Sequence, residues 1–150
     1  MKSICAKWVH GMADVEFKDY TIEVQNAMNS KILSVLEEVS GELETQVKRN
    51  SRVDTGKTKN SFRHYISGSL KSGEFRANIG SSDENAIWEE FGTGEHALAG
   101  NGRKGGWWYK DAEKQWHHTY GKTPSRAFWK AFTKLKSKII KRIQGSLKGM

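Results

Sequence analysis

Six apolar residues, Val24, Met28, Ile32, Val35, Val39 and Leu43, recur at intervals of four, four, three, four and four. Only an α-helix keeps such a series on one side, because its repeat is 3.6 residues. The spacing predicts an amphipathic helix over residues 20–48, a spine about 43 Å long at 1.5 Å per residue. Glu37, Glu38, Glu42 and Glu44 flank the stripe. Gly41 lowers the local propensity and marks a bend or a close contact. A second stripe, Phe128, Phe132, Leu135, Ile139 and Ile143, predicts a closing helix, with Thr123 as its N-cap and Pro124 at its first position. Each stripe needs a surface to bury it, so the two helices and whatever lies between them must share a core.

Between the helices the pattern changes to period two. Residues 62–67 (Phe-Arg-His-Tyr-Ile-Ser) and 73–80 are read as the strands of one hairpin, joined by a turn-rich connector. Trp107–Lys110 and Gln115–Tyr120 are read as a second hairpin around the turn Asp111-Ala112-Glu113-Lys114. Between the hairpins, Ser81 and Glu84 have the spacing of a capping box. Ala86, Ile87, Trp88 and Phe91 would supply the buried side of a short helix that Gly92 stops with a left-handed cap. Residues 92–106 are glycine-rich and read as a long mobile loop. The expected fold is therefore α+β: a small antiparallel sheet of two hairpins packed against a long N-terminal and a C-terminal helix. Residues 13–150 form one domain, and residues 1–12 an N-terminal extension. Val15-Glu16-Phe17 would be a short strand or extended arm.

The chain has 150 residues, and 28% of them are charged. No run reaches the roughly 18 apolar residues of a membrane helix, and no signal peptide is expected. Cys5 is the only cysteine, so no intramolecular disulfide can form and synthesis in a reducing cytoplasm is the expectation. The net charge of +8 is uneven: Lys122–Met150 holds nine Lys or Arg and no acid, leaving 16 basic against 17 acidic residues before it. Such a strip suits a solvated helix face, an acidic protein surface or a phosphate backbone.

Two motifs invite a nucleotide and do not sustain it. Gly56-Lys57-Thr58 ends a phosphate-loop pattern, but Ser51 replaces the leading glycine, and the expected order is helix before and strand after, the reverse of what the motif requires. Gly100-Asn-Gly102-Arg-Lys-Gly105 matches GxGxxG but follows a loop rather than a strand. Asp54 is read instead as the cap of a helical turn, Gly56 as its flexible point, and Lys57 and Lys59 as exposed. The five histidines make no HExxH motif, and His117-His118 would point to opposite faces of a strand, one packed and one solvated. Glu89 and Glu90 diverge on a helix, and a hydrolase reading would need converging acids or histidines, for example Glu89 with His96. No catalytic, metal or cofactor residues are assigned, and the chain is not read as an enzyme. Trp107-Trp108 must lie on opposite faces, so one of them needs a partner beyond its own sheet.

Three segments carry a resemblance when taken in order. They are Val53-Asp54-Thr55-Gly56-Lys57-Thr58-Lys59-Asn60-Ser61, Ala86-Ile87-Trp88-Glu89-Glu90-Phe91-Gly92-Thr93-Gly94 and Thr123-Pro124-Ser125-Arg126-Ala127-Phe128-Trp129-Lys130-Ala131-Phe132. Over residues 13–145 the chain resembles the HK-ninety-seven-type phage tail-component family (gene-product-ten-like), in the version found in phages and prophages of Gram-positive bacteria. Thr58 stands where that family usually has an apolar residue, and Ala127 where a second proline is common. The resemblance implies a virion structural protein of the head–tail junction, a neck or tail-completion component made in the host cytoplasm. Its expected partners are its own copies in a ring, six in number, a head connector or head-completion protein, and a tail tube or tail terminator protein. Passing DNA would be touched only transiently, and no membrane is involved. Asp54, Gly56, Lys57, Lys59, Glu90, Phe91, Gly92, Thr93, Trp107, Trp108 and Arg126 are the expected partner-interface residues. The alternative is a small basic nucleic-acid-binding module that uses the terminal lysines and the tryptophans as stacking platforms.

Overall fold

The computed structural model describes residues 18–148. The boundary at residue 12 and the segment Val15-Glu16-Phe17 lie outside the described residues. The elements run α1 (Thr21–Asn50), α2 (Lys57–Ser61), β1 (Phe62–Ser69), β2 (Glu74–Ser81), α3 (Asn85–Phe91), a 3₁₀ turn (Gly94–His96), β3 (Trp107–Lys110), β4 (Trp116–Thr119) and α4 (Ala127–Lys148). This is the expected α+β order. The hairpins β1–β2 and β3–β4 are two separate two-stranded antiparallel sheets, not one.

α1 and α4 pack antiparallel. The Asn50 side chain donates to the Ala127 carbonyl at one end (3.1 Å), Glu42 receives Lys138, and Glu38 receives Arg142 (3.1 Å) further along. Ala127 and Ala131 face α1, and Ala131 is fully buried, so the helices approach closely where their side chains are smallest. The core is Leu43, Val47, Phe62, Ala131 and Leu135, with Ile79, Ala86, Phe128 and Ile139 packed around it. Each large member contributes about 1.5–3 kcal/mol by leaving water. Val47 is the most buried residue of α1, one step beyond the sequence stripe. The stripe's other end behaves differently: Val24 and Met28 are exposed, because α4 does not reach them.

The first hairpin lies on α1. Its register runs from Phe62 opposite Ser81 to Ser69 opposite Glu74, closed by Leu70–Gly73. Phe62, His64 and Ile66 alternate inward, as the period-two pattern requires. His64 locks this sheet to the helix. Its backbone N–H donates to Glu44 Oε2 (2.9 Å), its Nδ1 lies 2.5 Å from the same oxygen, and its Nε2 lies 3.1 Å from Glu37 Oε1. Gly41 is not required to make room for the ring, since a methyl there would touch His64 Cε1 at an ordinary 3.7 Å. Burial opposes ionisation of Glu44, yet hydrogen bonds from Lys48 and His64 hold its carboxyl down at about 2. The bond to Glu44 raises the His64 imidazole above its usual 6.5 against burial, and Glu37 adds to the effect.

A histidine whose folded pKa is raised stabilises the fold fully below its unfolded pKa, and that contribution fades as pH rises through the folded value. Glu44 stays ionised throughout that window. The expected result is that His64→Gln lowers the urea midpoint more at about pH 6 than at about pH 9. An equal loss at both pH values would contradict the clamp.

Candidate assembly interface

The three sequence segments of the resemblance converge on α3. The first arrives through Asp83, a buried carboxylate just before the helix. Thr58 Oγ1 donates to Asp83 Oδ2 (2.5 Å), the Asn85 N–H donates to Oδ1 (3.4 Å), and Lys57 Nζ lies 3.6 Å from Oδ1. The Thr58 hydroxyl above all, then the Asn85 N–H and the Lys57 charge, hold the Asp83 carboxyl below its ordinary range despite burial. Gly56 has φ 80°, the left-handed conformation that the turn before α2 requires. Gly56-Lys57-Thr58 is thus a fastening for α3. Asp54 does not cap this turn: it is exposed and makes no side-chain hydrogen bond among the described residues, while Thr55 Oγ1 weakly accepts the Lys57 N–H (3.4 Å). Lys57 is exposed as expected, whereas Lys59 is half-buried. The Ser81–Glu84 capping box is also absent. Ser81 Oγ accepts the Asp83 N–H (3.0 Å), and Glu84 makes no capping bond.

The third segment is held by the two adjacent glutamates. Glu89 pairs with Lys122 and lies 3.9 Å from Arg52, while its carbonyl accepts the Ser125 N–H (2.7 Å). Arg52 also donates to the Thr123 carbonyl (2.8 Å) and hydroxyl (3.1 Å). Glu90 accepts the Phe128 N–H (2.8 Å) and the Trp129 N–H (2.9 Å) on its two oxygens. A carboxylate is therefore seated on the open N–H groups of α4, where charge and dipole favour it. This replaces the expected cap: Thr123 and Pro124 lie in an extended link, and α4 begins only at Ala127. Arg126 bridges the link with φ 53°, its guanidinium 5.2 Å from the Trp129 ring centre. The glutamates diverge as expected. No hydrogen bond or ion pair joins Glu89 to His96 among the described residues, so the hydrolase pairing is not assembled.

Residues 92–106 are tied into the fold, not free-standing. Thr93 exchanges bonds with Lys122, its N–H donating to the Lys122 carbonyl (2.9 Å) and its hydroxyl oxygen accepting the Lys122 N–H (2.8 Å). The Glu95 N–H donates to Tyr120 (2.9 Å), and the Gly105 N–H donates to Glu95 Oε1 (2.9 Å). The glycines permit close stacking of backbone: a methyl at Gly102 would overlap the Gly94 carbonyl oxygen. Gly92 has the positive φ expected of it, 75°, but with ψ 173° it leads into extended chain and not a left-handed turn. In the second hairpin Trp107 is half-buried beside Gly94, and Trp108 is 65% exposed, edge-on to His118 at 5.0 Å. Both His117 and His118 are exposed, and His117 Nε2 reaches Asp111 Oδ2 (2.7 Å), so the expected packed histidine is not there.

α3 is inverted relative to its sequence reading. Ala86 packs on the core, but Ile87, Trp88 and Phe91 are each more than half exposed. The cause is helical geometry. Ala86, Glu89 and Glu90 share a face at spacings of three and four, and that face turns inward because Glu90 must reach α4. The larger apolar side chains are left outside. They border four clefts: one of about 440 Å³ lined by Arg52, Asp54, Gly56, Lys57, Trp88 and Lys122, a second of about 380 Å³ between Phe91, Leu98, Arg126 and Trp129, a third of about 410 Å³ where Ile87, Trp88 and Phe91 meet Gly92 and Thr93, and a fourth of about 610 Å³ between Phe62, Asp83, Ile87 and Phe128. Among the expected interface residues, Asp54, Gly56 and Lys57 thus meet at the first cleft and Glu90, Phe91 and Arg126 at the second. Gly92 and Thr93 line the third with Phe91, Trp107 is framework, Lys59 joins none of them, and Trp108 stands on the separate hairpin. Among the described residues no cluster of three His, Cys, Asp or Glu could hold a metal ion. No protein-family model, curated protein or solved structure matches the chain.

Asp83, Arg52 and Lys122 were not singled out from sequence. Asp83 precedes a short helix, the ordinary place for a capping carboxylate, but the Ser81–Glu84 pair obscured it. Glu90→Ala is expected to lower stability by about 1–2 kcal/mol, the size of a lost helix cap. Urea unfolding measures it, and an unchanged midpoint would show that Glu90 does not anchor α4.

Proposed function

We propose that the protein is a structural component of a phage virion at the head–tail junction, acting as a neck or tail-completion subunit in a ring between head connector and tail tube. The observation that carries the reading is the imbalance of apolar surface. Among the described residues seven hydrophobic side chains are buried, whereas nineteen large ones are exposed. Scattered exposed apolar residues are ordinary, but a contiguous set around α3 marks a contact surface. Beneath that set lies a polar joint of Asp83, Glu89 and Glu90 that fixes its shape, as an assembly contact requires. The motifs that build this joint are those of the phage tail-component resemblance, and they supply the place in the virion.

The nucleic-acid module draws less support. Lys138 and Arg142 are spent on Glu42 and Glu38, and Lys134 lies 3.4 Å from Gln46 Oε1, so part of the basic strip faces α1. Of the described tryptophans only Trp129 shares α4 with the remaining lysines; Trp88 lies on α3 and Trp107, Trp108 and Trp116 on the second hairpin. No helix among the described residues is long and apolar enough to cross a membrane.

The double variant Trp88→Ser/Phe91→Ser tests the reading. Both side chains are solvent-exposed, so its urea midpoint is expected to stay within about 0.5 kcal/mol of wild type. Its recovery in purified particles, measured by quantitative mass spectrometry, is expected to fall at least tenfold. Wild-type recovery of a folded variant would argue that this surface makes no assembly contact.

A further inference from the structure

α1 is longer than the element that covers it. α4 runs antiparallel from the Asn50 end and finishes with Ile143 and Leu147 beside Ile32 and Val35, which line one apolar groove. Residues 18–31 extend past that point. All are exposed except Asn29, whose amide donates to the Leu70 carbonyl at the first hairpin's tip (3.3 Å). This arm carries Tyr20, Val24 and Met28 at intervals of four, exposed by 57%, 56% and 42%. The ladder continues the stripe that becomes buried from Val39 onward. The sequence therefore specifies one apolar face along the whole helix, and the described residues cover only part of it.

α4 has the opposite surplus. Its inner face is buried through Ala127, Ala131 and Leu135. A second helical stripe, Trp129, Phe132, Ile140 and Leu147, is exposed and joins Phe91 of α3 at the cleft beside Trp129. Lys130, Lys136 and Lys141 accompany it without an ion pair among the described residues, and α4 contains no acid.

We propose that the α1 arm of one protomer docks on the outer stripe of α4 and on Phe91 of a second copy, head to tail; this rests on the ring reading above and names its contact. Three features favour that occupant. The arm offers a helical ladder shaped like the one α4 already binds within the chain. Its tip bears Asp19 and Glu23 against one base, Lys18, and so is net acidic, opposite in sign to the lysines along α4. Symmetric pairing of α4 with α4 would set those lysines against their own copies with no acid between them. A half-exposed aromatic presents about 100 Å². Phe91, Trp129 and Phe132 with Ile140 therefore supply roughly 350 Å² of apolar centre, and a polar rim extends it toward the roughly 800 Å² per partner of a stable interface. A head-to-tail contact closes into a ring where the rotation permits.

The test uses the full chain and two variants. Val24→Asp/Met28→Asp spoils the arm, and Trp129→Asp/Ile140→Asp spoils the stripe. Light scattering coupled to gel filtration reads mass, and circular dichroism checks helix content. If the aspartate pair on α4 lowers helicity, Trp129→Ser/Ile140→Ser replaces it. The expected result is an oligomeric wild type, two monomeric variants, and a heterodimer but nothing larger when the variants are mixed, because the mixture retains one intact arm and one intact stripe. An oligomeric wild type whose arm variant still assembles would overturn the arm contact and leave the ring reading standing. A monomeric wild type at high concentration would overturn the proposal as well, while the junction role is judged separately on particles.

Discussion

The Glu90 carboxylate on the first turn of α4 is the interaction on which the rest of the molecule depends. It links residues 38 and 39 positions apart in sequence. By satisfying two N–H groups on the first turn of α4, it determines where α4 begins. By turning Ala86, Glu89 and Glu90 inward, it also decides which side of α3 meets solvent. Glu89 then collects Lys122 and Arg52, Arg52 collects Thr123, and Asp83 fastens the Gly56 turn to the other end of the same short helix. A seven-residue helix has little stability of its own. It is held by carboxylates at both ends, and its apolar side chains are thereby displaced to the surface.

The elements whose signal was periodic were legible in the sequence. The α1 stripe, the two hairpins and the exposed member of the Trp107-Trp108 pair follow from spacing alone, and so does the α4 stripe except Phe132, which is exposed while Ala127 and Ala131 take the inner face. What failed were statements that depend on which neighbour is present. Val24 and Met28 belong to the same stripe as Val39 and Leu43, but α4 ends before reaching them. Thr123-Pro124 has good capping chemistry, but a charged carboxylate from α3 outcompetes it. Ile87, Trp88 and Phe91 look like a core face until Glu90 claims the inward direction. Asp54 and Asp83 are both plausible caps for a short helix, and only the fold places Asp83 beside Thr58. The His64–Glu44–Glu37 clamp spans residues 20 and 27 apart and leaves no local signature beyond the Glu44–Lys48 spacing.

The same contrast bears on function. The three ordered segments read as partner-facing motifs are in large part the internal joint. Gly92 and Thr93 hold the glycine-rich loop to Lys122, and Glu90 holds α4. The apolar surface that the joint pushes outward is Trp88, Phe91 and Trp129, with the outer stripe of α4 beyond them. Fixed polar chemistry inside and unpaired apolar surface outside suit a subunit whose remaining burial happens on assembly. Tyr20, Val24 and Met28 of the α1 ladder are exposed in the same way.

The head–tail junction role is the central claim, and electron microscopy of particles made without this protein tests it most directly. The account predicts DNA-filled heads beside separate, unjoined tails, with joining restored when the wild-type chain is supplied in trans. Normal joined virions in its absence would contradict it.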